Sequence, residues 1–358
     1  MTAAGSDRRL LRRLAWTGSA LAFGLIVLGG VVRITGSGMG CGEHWPNCNG
    51  EWFPPLDLPT LIEISHRWVA ALVSVAIIAV AAVAWKRHRH ERSLVVPATL
   101  ALVLLIIQVL LGAITVKLTL PPWVVITHLA NAMILLAVLL VTALRAGEPA
   151  DQQRTPPRHA ARPLVHLTAG LGFLVILFGA QTANFNAGLL CLGFPLCNGQ
   201  LLPPANHLAG LHWTHRMLAF LFLGFTIVLV SRISRRGETE GWARVRTAAW
   251  WVLGLTVVQI GVAAAMILNL LPPALRVLHL LVGTAVWVSL VILEFRSSRA
   301  GDGSPEPAEA EPAEAAAAPT APAGVHKPSL ARDLVTLTKP RIISLLLVTT
   351  IAPMFITP

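Results

Sequence analysis

The chain has 358 residues, 55% of them hydrophobic and 13% charged, with a mean hydropathy of +0.68 and a formal net charge of +11. That balance excludes a soluble globular domain and marks an integral membrane protein. The basic surplus is no nucleic-acid face, because it sits at the N-terminus and in alternate loops, and the absence of tyrosine removes phenolate ligation and tyrosyl acid–base chemistry.

The run "RRLLRR" (8–13) leads into a first apolar stretch at 14–34, longer than the core of a signal peptide and matched by an internal counterpart at 164–183. A glycine-rich loop, 36–60, carries Cys41 and Cys48. Further stretches long enough to cross the hydrocarbon core as helices lie at 61–85, 94–116, 123–144, 164–183, 210–231, 247–268 and 274–295, which makes eight spans. The basic segments "KRHRHER" (86–92), 145–162, "SRISRRGETEGWARVR" (231–246) and "FRSSR" (295–299) fall between alternate spans. By the positive-inside rule they face the cytoplasm together with both ends of the bundle, in a multi-pass protein of the cell membrane. The loops 36–60, 117–122, 184–208 and 269–273 then face outward, and all four cysteines lie in two of them, implying an oxidising compartment.

The halves repeat each other. "CGEHWPNCNGEWFPP" answers to "CLGFPLCNGQLLPP", and the distance from Cys48 to His66 equals that from Cys197 to His215, 18 residues in each. Gln108 and His128 match Gln259 and His279, 20 residues apart in each copy. Such preserved offsets mark a duplication. Four spans per unit give both copies one orientation, so the expected fold is all-α: an eight-helix membrane bundle of two tandem four-helix repeats (about 14–145 and 163–296), related by a pseudo-twofold along the membrane normal.

His66 and His128 fall near the outer starts of the second and fourth spans, as do His215 and His279 of the sixth and eighth. Each half thus presents two imidazoles from different helices at one depth, a donor set suited to axial ligation of a heme held upright in a helical bundle. A lone intramembrane histidine more often bonds to neighbouring backbone; four at repeat-related positions favour heme. Zinc would want a tighter cluster. Arg67 and Arg216, directly after the histidines, could clamp heme propionates or snorkel to headgroups. Trp68, Trp123 and Trp213 read as interfacial anchors.

The copies differ at one telling place. "EISHRW" (63–68) becomes "HWTHRM" (212–217), so Glu63 is exchanged for His212, three residues before the histidine and on its helical face. A carboxyl group there could move protons or stabilise a cation on a substrate, which suggests that the first half works on something while the second holds a permanent redox heme. Drift after duplication, with Glu63 merely pairing Arg67 or Arg33, is the plainer account. For the cysteines, a structural disulfide is the default for Cys191–Cys197. For Cys41–Cys48 a structural bridge, a redox-active dithiol and a transient thiol adduct all stay open. "GSGMGCG" matches no nucleotide-binding loop.

Through "TGSGMGCGEHWPNCNG", "EISHRW", "THLANA", "CNGQLLPP", "HWTHRM" and "VLHLLVG", in that order, residues 10–298 resemble the heme A synthase family, membrane enzymes that oxidise the C8 methyl group of heme O to a formyl group. The resemblance implies that His66 and His128 hold the substrate heme with Glu63 as the catalytic carboxylate. It implies too that His215 and His279 ligate a heme b cofactor, and that each cysteine pair can form a disulfide. Successive hydroxylations with oxygen from water, a membrane electron acceptor and delivery to terminal oxidase assembly come with it. The competing readings are a bis-histidine diheme electron carrier and a heme-binding assembly protein that leaves heme unaltered.

After the bundle (1–300), residues 301–328 are Ala/Pro/Glu low complexity and read as a disordered linker. The segment 329–358, with "LTKPRI" at 337–342, resembles the start of a protoheme IX farnesyltransferase (heme O synthase) and stops before that family's aspartate-rich motifs. The expectation is a fusion of two consecutive enzymes cut inside the second, or else a ninth apolar helix packed on the bundle.

Overall fold

A computed structural model describes residues 3–55, 57–148, 161–203, 205–236 and 239–300. The linker and the prenyltransferase-like tail lie outside the described residues. The described chain forms eight long helices: α1 (Ala3–Ile34), α2 (Leu58–Arg87), α3 (Arg92–Lys117), α4 (Pro122–Ala146), α5 (Arg162–Asn184), α6 (His207–Ser234), α7 (Glu240–Leu268) and α8 (Pro273–Ser297). All eight are long and apolar enough to cross a membrane, and each encloses one expected span. The helices run beyond those spans because the polar flanks continue the helical ladder, which ends where caps are available and not where hydropathy falls.

Local sequence sets those ends. The Asp57 side chain accepts from the Thr60 amide at 3.2 Å, and that of Asn206 from the Leu208 and Ala209 amides at 2.9 and 3.3 Å, capping α2 and α6. Pro122 and Pro273 open α4 and α8, where a missing N–H costs nothing. Before each proline pair two residues adopt the left-handed conformation, Thr119 and Leu120 in the first repeat and Leu270 and Leu271 in the second. One reversal therefore ends both α3 and α7.

The packing has the expected symmetry. Within the first repeat α1 packs on α2, α2 on α3, α3 on α4 and α4 on α1; α5 to α8 close the same ring. Between repeats the pairs are α4 with α8, α1 with α8 and α4 with α5. Exchanging each helix for its counterpart leaves that set unchanged, which is what a twofold relation requires. At the seam the Trp287 indole N–H donates to the Met133 carbonyl at 2.9 Å, and the Phe173 ring lies 5.2 Å from that of Trp287. Across the same seam the Arg33 Nε donates to Asn184 Oδ1 at 2.8 Å, so the end of α1 is fastened to that of α5.

Leu11, Ile77, Met133, Leu136, Leu139, Leu229, Leu290 and Leu293 are fully buried between helices, whereas Leu72, Val75, Leu110, Trp251 and Val257 point outward. Lipid tails solvate those outward faces as well as a protein core would, so the exposure costs little. Hydroxyls inside the spans satisfy themselves on the preceding turn, as Ser19 does on the Ala15 carbonyl, Thr142 on Val138 and Thr168 on Leu164.

Away from the cysteine loops, Glu91 precedes α3 and joins three elements: its carboxylate pairs with Arg8 of α1, and with His88 Nδ1 at 2.7 Å. Burial pushes its pKa up, but the bonds and charges of Arg8 and His88 outweigh this and hold it below the ordinary glutamate range. A depressed folded pKa means that this contribution is complete above the unfolded pKa and is lost as pH falls through the folded one. The thermal midpoint of the wild type should exceed that of Glu91→Gln near neutrality and still do so at about pH 5, with the gap closing only as pH falls below the ordinary glutamate value of about 4.3 and through the lower folded pKa.

Candidate functional site

The site begins in the two cysteine loops. In each, an Asn-Gly pair follows the second cysteine: Asn49 and Gly50, and Asn198 and Gly199, all have positive φ. These sequences favour a type I′ turn, and the flanking Cys48 and Glu51, like Cys197 and Gln200, exchange backbone hydrogen bonds of 2.8–3.1 Å. Disulfides join Cys41 to Cys48 and Cys191 to Cys197. Gly40 lies against the start of α2, where a Cβ would meet the Pro59 carbonyl at 2.5 Å, so only glycine allows the loop to approach so closely.

The arginines after the histidines tie these loops down. Arg67 Nη1 donates to the carbonyls of His44 at 2.8 Å and Asn47 at 2.6 Å, while Nη2 pairs with Glu63 Oε1 at 2.5 Å. Arg216 Nη1 donates to the carbonyls of Gly193 and Leu196, both at 2.9 Å, and Nη2 to that of Cys191. Of the two partners expected for Glu63, Arg67 is the one it has, since Arg33 is engaged across the seam.

Glu63 is 4% exposed, and its second oxygen accepts from the Cys41 amide at 2.8 Å. The carboxylate thus touches the backbone of a disulfide cysteine and a guanidinium together. His212 fills its place in the second repeat, with Nδ1 facing the Ala187 carbonyl at 3.2 Å and Nε2 accepting from Arg216 Nε at 3.2 Å. That pattern needs the proton on Nδ1, so a neutral ring stands where the first repeat has an acid.

Below the loops lie His66 of α2 and His128 of α4 in the first repeat, and His215 of α6 and His279 of α8 in the second. Their surroundings differ. His215 Nδ1 meets the Val175 carbonyl at 3.1 Å, which fixes the proton there and leaves the Nε2 lone pair for an electrophile. His66 Nδ1 and His128 Nδ1 are buried with no hydrogen-bond partner among the described residues. Glutamines of the neighbouring helices reach the other two rings: Gln108 Nε2 lies 3.1 Å from His128 Nε2, and Gln259 Nε2 lies 3.1 and 3.2 Å from the ring nitrogens of His279.

This donor set fits two hemes better than two bare ions. No group of three or more His, Cys, Asp or Glu able to hold a metal ion occurs among the described residues, and an axially ligated heme iron asks for no more than two imidazoles. Glycines leave room for the rings: a Cβ on Gly29 would stand 3.1 Å from His66 Cε1, and one on Gly179 would stand 2.9 Å from His215 Cε1. Both glycines precede the first cysteine of their loop by 12 residues. That matched offset is a signal that a reading centred on titratable residues passes over; the Val175 carbonyl left none. Because the Val175 bond holds the His215 ring, Gly179→Ala cannot be absorbed by a simple tilt. Overpacking of this kind costs about 1–3 kcal/mol, and the thermal midpoint of the variant in detergent is expected to fall below that of the wild type.

The family model for COX15-CtaA, the cytochrome oxidase assembly protein, matches residues 12–60 and 57–291. Relatives agree with it. A heme A synthase of Alkalihalophilus pseudofirmus is 37% identical over 211 residues, spanning 58% of this chain and 71% of that protein. Those of Symbiobacterium thermophilum and Halalkalibacterium halodurans are each 30% identical, covering 78% and 80% of this chain and 92% and 98% of their own length. With its duplicated histidine pairs and disulfide loops, the chain belongs to the COX15-CtaA family of cytochrome oxidase assembly proteins, the family of the heme A synthases.

Proposed function

We propose that the chain is a heme A synthase that oxidises the C8 methyl group of heme O to a formyl group. The observation that carries this reading is the asymmetry of two otherwise matched sites: a buried carboxylate, Glu63, above the His66/His128 pair, and a neutral imidazole, His212, above the His215/His279 pair. Heme O is the substrate of the first site. Heme b is the resident cofactor of the second, bound by His215 and His279, and supplies one-electron redox chemistry when bound.

The protein's own groups then have definite tasks. His66 and His128 fix the porphyrin by its iron, so that the methyl group is presented to one place. Glu63 accepts protons from the substrate methyl carbon or the attacking water, and is held in place by Arg67 and the Cys41 amide. Each hydroxylation takes one water and releases two electrons and two protons; the second gives a gem-diol that loses water to leave the aldehyde. The electrons go to a membrane acceptor. Arg67 and Arg216, expected as propionate contacts, instead give their donors to loop carbonyls and to Glu63 or His212, so their task is to hold the cysteine loops over the two histidine pairs. The cysteine loops face outward, in keeping with the basic segments at the opposite end. The similarity of 329–358 to a heme O synthase supports a supplier of the substrate close by, where tethering would raise the local substrate concentration.

The test is to supply membranes containing the chain with heme O, extract the non-covalent hemes and resolve them by reverse-phase chromatography with mass detection. Heme A or its hydroxylated precursor is expected. Heme b alone, with heme O returned unchanged, would sink the reading in favour of a diheme carrier or a heme-binding assembly protein.

A further inference from the structure

The two repeats differ at the basic end of the bundle, where α2 passes to α3 and α6 to α7. In the first repeat the Trp85 indole N–H of α2 donates to Thr99 Oγ1 of α3 at 2.9 Å, so one large ring bridges the two helices. The offset that takes His66 to His215 carries Trp85 to Ser234, and the offset that takes Gln108 to Gln259 carries Thr99 to Trp250. The indole and the small hydroxyl residue have changed helices. In place of the bridge, α6 and α7 border an open cleft of about 380 Å³, lined by both Ser234 and Trp250.

The cleft is graded along its length. Arg235 and Ser234 stand at the end of α6, with Ser231 about one turn inward and Ile227 a further turn inward. On α7, Leu253 lies about one turn deeper than Trp250. Polar groups thus gather at the basic end, and apolar walls continue toward the middle of the bundle. Other hydroxyls of the spans bond to the preceding turn, as Ser74 does to the Ala70 carbonyl at 2.8 Å, whereas no hydrogen bond occupies the Ser231 or Ser234 hydroxyl among the described residues. Arg235 and both serines are exposed. The segment 231–246 carries five arginines against two glutamates, and one of those acids, Glu240, pairs with Arg244.

We propose that this cleft is a binding site for one anionic phospholipid, at a place that Trp85 fills in the first repeat. The Arg235 guanidinium and the serine hydroxyls donate to the phosphate oxygens, and an acyl chain runs inward along Ile227 and Leu253. Trp250 lies beside it at the level where indoles favour the membrane interface. A basic pocket between spans, backed by an apolar wall, selects lipid by headgroup charge. A zwitterionic headgroup brings its own cation to Arg235 and is bound less well.

Native mass spectrometry of the full chain in neutral detergent reads the site, with phosphatidylglycerol or phosphatidylcholine of the same acyl chains added in turn. Phosphatidylglycerol is expected to bind about fivefold more tightly, the worth of one basic side chain against an anionic lipid. Arg235→Gln should abolish that preference, while Lys86→Gln, at the matching place in the first repeat, should leave it unchanged. Ser234→Trp combined with Trp250→Thr installs the first repeat's pair and should remove the tight adduct. If that double variant does not fold, Arg235→Gln, which alters only an exposed side chain, decides the matter. Equal affinity for the two lipids in the wild type overturns the proposal, as does a preference that survives Arg235→Gln. An equal loss from Arg235→Gln and Lys86→Gln also overturns it, because lipid would then merely gather around the basic end.

Discussion

Glu63→Gln is expected to abolish heme A formation while leaving heme b in place. The amide is nearly isosteric, and its oxygen can still accept from the Cys41 N–H, which lies 2.8 Å from Glu63 Oε2. What disappears is the capacity to take up a proton and the negative charge opposite Arg67. Removing a positioned general base or acid slows such steps by about 10²–10⁴-fold, so product from the variant should fall below detection in the heme extraction assay. Among the described residues the second repeat shares no hydrogen bond with Glu63, and its heme b absorbance should match that of the wild type. A variant that still makes heme A at a rate near wild type would reduce Glu63 to a loop fastener, as the drift account holds. A variant that loses both hemes would make its role structural.

Arg67→Ala is expected to weaken the protein more than Arg216→Ala, although both arginines do the same work on their loops. Each guanidinium satisfies several loop carbonyls. Only Arg67 also neutralises a buried acid, at 2.5 Å with side-chain exposures of 15% and 5%. Deleting one member of a buried ion pair strands the other, at about 3–5 kcal/mol. Arg216 leaves behind only a neutral imidazole, so its loss carries the cost of unpaired carbonyls alone. The thermal midpoint in detergent, followed by tryptophan fluorescence, should therefore fall furthest for Arg67→Ala, and protease should cut the 41–48 loop of that variant first. Adding Glu63→Gln to Arg67→Ala should restore part of the lost stability, because the stranded charge is gone. Equal losses for the two arginines, with no recovery in the double variant, would show that the charge pair contributes nothing beyond the loop bonds.

Proton movement by the carboxylate and anchoring of the loop with its disulfide above the histidines are different properties of one residue pair. A result for one does not dictate the other, since a charge pair can anchor a loop without moving protons.

Much of this was legible in one dimension. Eight spans followed from hydropathy because each helix must present about 20 apolar residues to lipid whatever its neighbours do. The repeat followed from offsets: equal distances from Cys48 to His66 and from Cys197 to His215 put both histidines on equivalent helices. The Asn-Gly turns were likewise local, fixed by the residues that tolerate positive φ.

Only the tertiary structure decided the partners. That Arg67 and Arg216 grip loop carbonyls, that Val175 sets the tautomer of His215, and that Trp85 crosses to Thr99 are not written in residue type. The acceptors at Val175 and in the loops are backbone carbonyls, which every residue carries alike, and the side chains that meet come from different helices. Hydropathy and spacing state where a residue lies along the membrane normal. Which way it faces, and what it meets there, depends on how the helices pack side by side.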